Sequence, residues 1–228
     1  MTDVLAARLA WLRRGSAVFI VVIHGLNVAA HCALGSGAER PWWFTLVDVD
    51  TEQNLPTWFS SGLLLCCAVA AWQMAKQYNS PVAVRGWRLV ALLLGLVSAD
   101  EVVCLHERLA AAALRWLAGR ELASLWLWAG GAVLVASAGA TLLPFLRSVP
   151  RRLRRRLLVS AGVYVFGALV LEVIGQQWAA LHGWSNPTYW LLAALEELFE
   201  MTGAWLFLRL TTLALVESKQ PNAAFRSN

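Results

Sequence analysis

The sequence predicts an all-α, polytopic membrane protein: a bundle of six transmembrane helices with both termini in the cytoplasm. The chain of 228 residues is 59% hydrophobic and 14% charged, whereas a soluble domain is about half apolar and a quarter charged. Six stretches are apolar over roughly 20 residues, the length that crosses about 30 Å of hydrocarbon. Backbone polar groups inside lipid must be satisfied locally, so each stretch is predicted to be a helix.

The six predicted spans follow one another along the chain. Their ranges are 16–34, 58–75, 86–107, 124–146, 157–181 and 189–216. The first could be mistaken for a signal peptide, but no small-x-small cleavage pattern leads into a soluble domain, so we expect it to be retained. The spans form a single transmembrane domain over 1–217, and a loose tail is expected over 218–228.

The basic residues predict the orientation of the bundle, because cytoplasmic loops of membrane proteins are enriched in Lys and Arg. With the N-terminus inside, four of the 19 Lys and Arg fall outside, which leaves 15 inside. The four are Arg40, Arg108, Arg115 and Arg120. We therefore expect a multi-pass protein of the cell inner membrane. The net charge of +5 reflects topology, and no nucleic-acid partner is expected.

Acidic residues inside the predicted spans indicate where a site lies. Seven of the 14 acids fall within spans, namely Asp100, Glu101, Glu107, Glu172, Glu196, Glu197 and Glu200. An ionisable group at bilayer depth is costly unless it is paired or hydrated, so it marks a functional site by default. The orientation above places these acids toward the outer, periplasmic side. His24 lies near the midplane of the first span, with Asn27 and His31 above it.

Helical spacing gathers these side chains into stripes, because an α-helix turns by about 100° per residue. The stripes are His24, Asn27 and His31 on the first span, Asp100, Cys104 and Glu107 on the third, Glu172 and Gln176 on the fifth, and Glu196 and Glu200 on the sixth. The second and fourth spans carry no acid or histidine and are expected to be lipid-facing support. The pattern predicts one outward-facing polar cavity between the other four spans.

The first interpretation of this cavity is a divalent metal site (Fe, Zn or Mn) in a membrane hydrolase or oxidoreductase that acts on a lipid or other hydrophobic substrate. Carboxylates and imidazoles that point inward from bundle helices hold the metals of di-iron proteins. The expected ligands are His24, His31, Asp100, His106, Glu172, Glu196 and Glu200. The expected acid–base groups are Asp100, Glu101, Glu107 and Glu197. No Glu-x-x-His or His-x-x-x-His signature accompanies them.

Three other functions stay open. Intramembrane acids and histidines also mark proton and ion routes, which favours a proton- or cation-coupled transporter or relay; the absence of a visible internal repeat is unlike common transporter folds. A neutral and an ionised carboxyl group side by side would serve metal-free acid–base chemistry. The polar layer would also suit a structural membrane subunit, in which it holds helices together.

The longest outer loop has its own pattern. Asp48, Asp50, Glu52 and Asn54 place oxygen-bearing side chains two residues apart. This spacing can wrap a hard cation such as Ca²⁺, but the EF-hand glycine and distal glutamate are missing. A lid over the cavity, with the next helix beginning at Pro56–Thr57, and a solvated acidic loop are the alternatives.

Three strings carry a resemblance to a known family. They are VDVDTEQNLPTWFSS at 47–61, SADEVVCLHERL at 98–109 and LEELFEMTGAWL at 195–206. These strings resemble recurring signatures of an uncharacterised family of bacterial six-helix membrane proteins. The resemblance covers most of the chain and implies a bacterial inner-membrane setting, but it implies no activity.

Overall fold

The computed structural model describes residues 2–34, 40–105, 108, 109, 112 and 120–218. This part of the chain forms helices and turns and contains no strand, which confirms the predicted all-α class for it. The helices are α1 (Thr2–Leu34), α2 (Leu55–Ala75), α3 (Pro81–Val103), α4 (Arg120–Ser148), α5 (Arg151–Val165), a π-helical segment (Phe166–Leu171), α6 (Glu172–His182) and α7 (Pro187–Ser218). The expected tail from 219 onward lies outside the described residues.

Five of the described helical stretches are long and apolar enough to cross a membrane. They are Ala6–Leu34, Leu55–Ala75, Pro81–Val103, Ala129–Ser148 and Arg151–His182. The sixth predicted span lies within α7, which is 32 residues long but is not one of the five. The charged side chains of α7 lower its hydropathy; they are Glu196, Glu197, Glu200, Arg209 and Glu217. The length and composition of the described helices therefore identify five candidate membrane spans, one fewer than the six predicted.

Two helix boundaries depend on specific backbone features. At the start of α2, the Asn54 side chain accepts a hydrogen bond from the Thr57 amide at 3.0 Å, and Pro56 occupies the first turn, where it costs no hydrogen bond. At the end of α3, Cys104 takes a left-handed conformation with φ of 53°. The predicted span 86–107 is thus interrupted at Cys104, because a left-handed residue cannot continue a right-handed helix.

The helix α7 occupies the middle of the bundle. It contacts α1, α2, α5, the π segment and α6, and its buried side chains run from Trp190 to Leu215. Outer helices therefore surround Glu196, Glu197 and Glu200, which are partly buried, and this explains how a helix with so many acids can belong to an otherwise apolar bundle.

The second span was expected to be lipid-facing support, and the structure corrects this for one side of α2. Half of the apolar window of α2 is buried, against 6% for α4. Small residues on α2 permit close helix approach: the Cys67 thiol, fully buried, donates to the Ala204 carbonyl of α7 at 3.2 Å. The uncharged helix α2 therefore packs against α3 and α7 on one side and exposes apolar side chains such as Leu65 and Val69 on the other, whereas α4 is peripheral and lies against α3.

Two glycines bring α5 and the π segment into backbone contact with α7. A Cβ added to Gly203 would lie 2.6 Å from the Tyr164 nitrogen, and one added to Gly167 would lie 2.8 Å from the Glu196 carbonyl oxygen. The Ser160 hydroxyl donates to the Gly203 carbonyl at 2.9 Å. These contacts fix the positions of Tyr164 and Glu172 relative to the glutamates of α7. A π segment beside such residues is a frequent feature of functional sites.

Candidate functional site

Among the described residues, two neighbouring groups of polar side chains contain most of the predicted site. We call the first the Asp48 cluster; it consists of Asn27, His31, Arg40 and Asp48. We call the second the glutamate cluster; it consists of Glu101, Tyr164, Glu196, Glu197 and Glu200. The loop between α1 and α2 contributes to the first group and reaches the second.

The Asp48 cluster is centred on a carboxylate that is 1% exposed. Arg40 donates to Asp48 Oδ2 at 3.1 Å, and the Asn27 amide donates to Oδ1 at 3.3 Å. The Nε2 atom of His31 lies 3.7 Å from Oδ1. Because a buried charge is costly unless it is paired and hydrogen-bonded, these three partners explain how Asp48 is held inside the protein.

Aromatic side chains complete the Asp48 cluster. The His31 ring stacks on Trp190 with 4.5 Å between ring centroids. The Arg40 guanidinium lies 4.5 Å from the centre of the Phe44 ring and 5.1 Å from that of Trp190, within the range of a cation–π contact. The loop is thereby tied to α1 and α7 together.

The oxygen-bearing side chains of the loop make hydrogen bonds within the loop and to neighbouring helices. The Asn54 amide donates to the carbonyls of Asp48 at 2.6 Å and Thr51 at 2.7 Å. The Thr57 hydroxyl donates to Glu52 at 3.2 Å, and the Tyr189 hydroxyl of α7 donates to Asp50 at 2.8 Å. The idea of a solvated acidic loop is wrong for Asp48, which is buried. These contacts favour the lid interpretation over a calcium loop.

The glutamate cluster brings together three helices. Glu101 at the end of α3 interacts electrostatically with both Glu197 and Glu200 of α7. The Tyr164 hydroxyl from α5 donates a hydrogen bond to Glu200. All five side chains are partly buried, so repulsion between ionised carboxylates of this cluster is stronger than it would be in water.

The loop joins the two clusters. Asp50 interacts with Glu196, which also interacts with Glu172 at the start of α6. Glu52 interacts with Glu197. The lid thus brings the carboxyl groups of Asp50 and Glu52 close to the glutamate cluster. The search for acids inside the predicted spans did not include these two residues, because they lie in a loop.

The predicted metal ligands are divided between these groups. His31 belongs to the Asp48 cluster, Glu196 and Glu200 belong to the glutamate cluster, and Glu172 is held at 3.4 Å by the Gln176 amide. Among the residues the structure describes, no three His, Cys, Asp or Glu side chains form a group that could hold a metal ion. His106 and Glu107, a predicted ligand and a predicted acid–base group, lie outside the described residues.

Two predicted residues occupy other positions. Asp100 lies in the last turn of α3, where its carbonyl accepts the Cys104 amide at 2.7 Å. His24 is buried on α1, and its Nδ1 atom lies 2.8 Å from the Ile20 carbonyl. Residues that the sequence analysis did not select include Arg40 and Tyr164. Tyr164 follows the basic run of α5 with no motif to distinguish it.

The observations together define an all-helical protein with several apolar helices and a polar interior at one level of the bundle. The chain belongs to the family described as Domain of unknown function (DUF8692), which matches residues 15–215. No curated protein and no solved structure matches the chain. The predicted resemblance to an uncharacterised family is confirmed over most of the chain. Bacterial origin stays a prediction.

Proposed function

We propose that this is an integral membrane protein whose glutamate cluster binds a proton and passes it through the bundle. The observation that carries the proposal is the convergence of Glu101, Glu197 and Glu200 around the Tyr164 hydroxyl. Such a group of carboxylates attracts a cation strongly, because Coulomb interactions strengthen as the surroundings become less polar.

Membrane insertion is supported by the surface of the bundle. Large apolar side chains stand exposed on several helices, among them Leu134 on α4 at 72% and Leu92 on α3 at 59%. Soluble proteins seldom expose contiguous apolar patches of this kind. The unequal distribution of Lys and Arg supports cytoplasmic termini, and this orientation turns the lid and the glutamate cluster toward the outer side of a cell inner membrane.

A cation as the bound species is supported by the neighbours of the glutamates. Within the described part of the chain, Glu196, Glu197 and Glu200 make no ion pair with Lys or Arg. Asp48, in contrast, is paired with Arg40. If the polar side chains only held helices together, we would expect ion pairs like that of Asp48 with Arg40. We therefore favour the proton relay over a purely structural polar layer, and over a metal-dependent enzyme, for which no group of three ligands is described.

The proposal is tested by flux measurements on purified protein in liposomes that contain a pH-sensitive dye. A potassium gradient with valinomycin sets the membrane potential that drives proton uptake. Parallel samples measure the uptake of Na⁺, K⁺ and divalent cations in place of protons. Wild-type protein is expected to carry protons, and Glu200→Gln is expected to lose the proton flux.

The matched control is Glu217→Gln, because Glu217 is an exposed residue at the end of the same helix; it is expected to retain the flux. Flux in the wild type no faster than in protein-free liposomes, or full flux in a folded Glu200→Gln variant, contradicts the proposal. Stoichiometric Fe, Zn or Mn that is lost in Glu196→Gln would support the metal-dependent enzyme instead.

A further inference from the structure

We infer that a buried water molecule joins the Glu197 carboxyl group to His24 Nε2 and Asn27 Oδ1, and so links the glutamate cluster to the Asp48 cluster. His24 is 8% exposed and Asn27 is 1% exposed. Their Nε2 and Oδ1 atoms are buried and have no hydrogen-bond partner among the described residues. Because buried polar atoms are nearly always hydrogen-bonded, two such atoms one turn apart on one helix indicate a shared ligand.

The tautomer of His24 determines what this ligand must donate. Its Nδ1 atom lies 2.8 Å from the Ile20 carbonyl oxygen, which can only accept. The hydrogen of the neutral ring is therefore on Nδ1, and Nε2 presents a lone pair. Asn27 already donates its amide hydrogens toward Asp48 and the Val47 carbonyl, so its Oδ1 is also an acceptor. The ligand has to supply two hydrogens, as one water does.

The register of α1 against α7 identifies the third partner. His31 stacks on Trp190, and the Arg13 carbonyl accepts from Trp205 Nε1 at 2.8 Å, so the two helices are antiparallel. His24 lies seven residues before His31, and Glu197 lies seven residues after Trp190.

Seven residues correspond to about 10 Å of rise and to two turns within about 20°. His24 and Glu197 therefore stay on the facing sides of their helices and lie at the same level. Because Nε2 of His24 has no direct hydrogen-bond partner among the described residues, we infer that a bridging molecule connects it to the Glu197 carboxyl group. One water with hydrogen bonds of about 2.8 Å on each side fits this role.

The water makes three hydrogen bonds in this arrangement, a typical number for a buried water. It donates to His24 Nε2 and to Asn27 Oδ1, and it accepts from the protonated Glu197 carboxyl group. A proton can then move from Glu197 to the water while the water passes another of its protons to Nε2. The products are a carboxylate and an imidazolium, with the water restored. This relay step rests on the proposed function, whereas the water site does not.

The water site is tested by nuclear magnetic resonance on protein with ¹⁵N-labelled histidine in lipid nanodiscs, with the His24 signals assigned by their loss in His24→Gln. We expect an unprotonated Nε2 with a cross-peak to water, and a changed Nε2 shift in Glu197→Gln. In Glu217→Gln the shift is expected to stay unchanged. A proton resident on Nε2 in place of Nδ1, or the same shift in wild type and Glu197→Gln, overturns the water site.

The relay step is tested separately in the liposome assay. Flux in His24→Gln is expected to fall to the level of protein-free liposomes, because glutamine can accept a hydrogen bond but cannot take up the proton. Wild-type flux in a folded His24→Gln variant overturns the relay through His24 and leaves the proposed function intact if Glu200→Gln is inactive. If wild-type protein carries no protons, the proposed function and the relay fail together, and the resonance experiment still decides the water site.

Discussion

Replacement of Gly203 by alanine is expected to lower the free energy of unfolding by about 3 kcal/mol. The added Cβ would lie 2.6 Å from the Tyr164 nitrogen and 2.8 Å from its Cα, and the helices must separate by about 0.8 Å to reach an ordinary 3.4 Å contact. Backbone atoms cannot rotate aside, so overpacking costs about 2 kcal/mol. The separation also weakens the buried hydrogen bond from Ser160 to the Gly203 carbonyl, at about 1 kcal/mol.

Equilibrium unfolding in mixed micelles, followed by tryptophan fluorescence as the SDS fraction is raised, measures this difference. The matched control is Gly162→Ala on α5, because a Cβ at Gly162 meets nothing within 4 Å. That variant is expected to be unchanged or more stable by up to about 1 kcal/mol, from helix propensity alone. Equal stability of the two variants would refute the close approach of α5 and α7, and with it the placement of Tyr164 against Glu200.

Three further outcomes are expected. Asp48→Ala should lower the free energy of unfolding by about 2 kcal/mol, less than for a fully buried ion pair because Arg40 is 35% exposed; an unfolding midpoint equal to that of wild type would argue against the buried cluster. Ser160→Ala should cost about 1 kcal/mol in the same assay, and a cost near zero would show that the Gly203 carbonyl finds another donor. Cys32 is an exposed cysteine in the last turn of α1, the end that the proposed orientation turns outward; as the single cysteine retained, it should react with a membrane-impermeant maleimide in intact cells, and reaction only after the cells are lysed would reverse the proposed orientation.

The sequence was sufficient to predict helices, since hydropathy and the cost of unsatisfied backbone in lipid are local properties. It also located the acids of α7 and the start of α2 at Pro56–Thr57. It did not predict that the third helix ends at Val103, because the left-handed conformation of Cys104 arises at a residue type with no preference for it. The span drawn through Cys104 was too long for that reason.

How much of a helix is buried could not be read from hydropathy. The helices α2 and α4 are both uncharged over their apolar windows, yet one is half buried and the other is peripheral. The difference depends on which neighbours each helix meets, as in the contact between Cys67 and Ala204. The partners of Asp48 are equally nonlocal, because Asn27 lies 21 residues away along the chain.

The acids of the bundle fall into two kinds, and the difference follows from their neighbours. Asp48 is surrounded by an arginine, an amide and a histidine, which satisfy its charge, so its main effect is to hold the lid on α1 and α7. Glu197 and Glu200 face another carboxylate and a tyrosine hydroxyl instead. A cluster of the second kind is stable inside a membrane only when a proton or another cation accompanies it. Under the proposed function, the bundle separates Asp48, which Arg40 pairs at the lid, from the glutamate cluster, which holds an exchangeable proton.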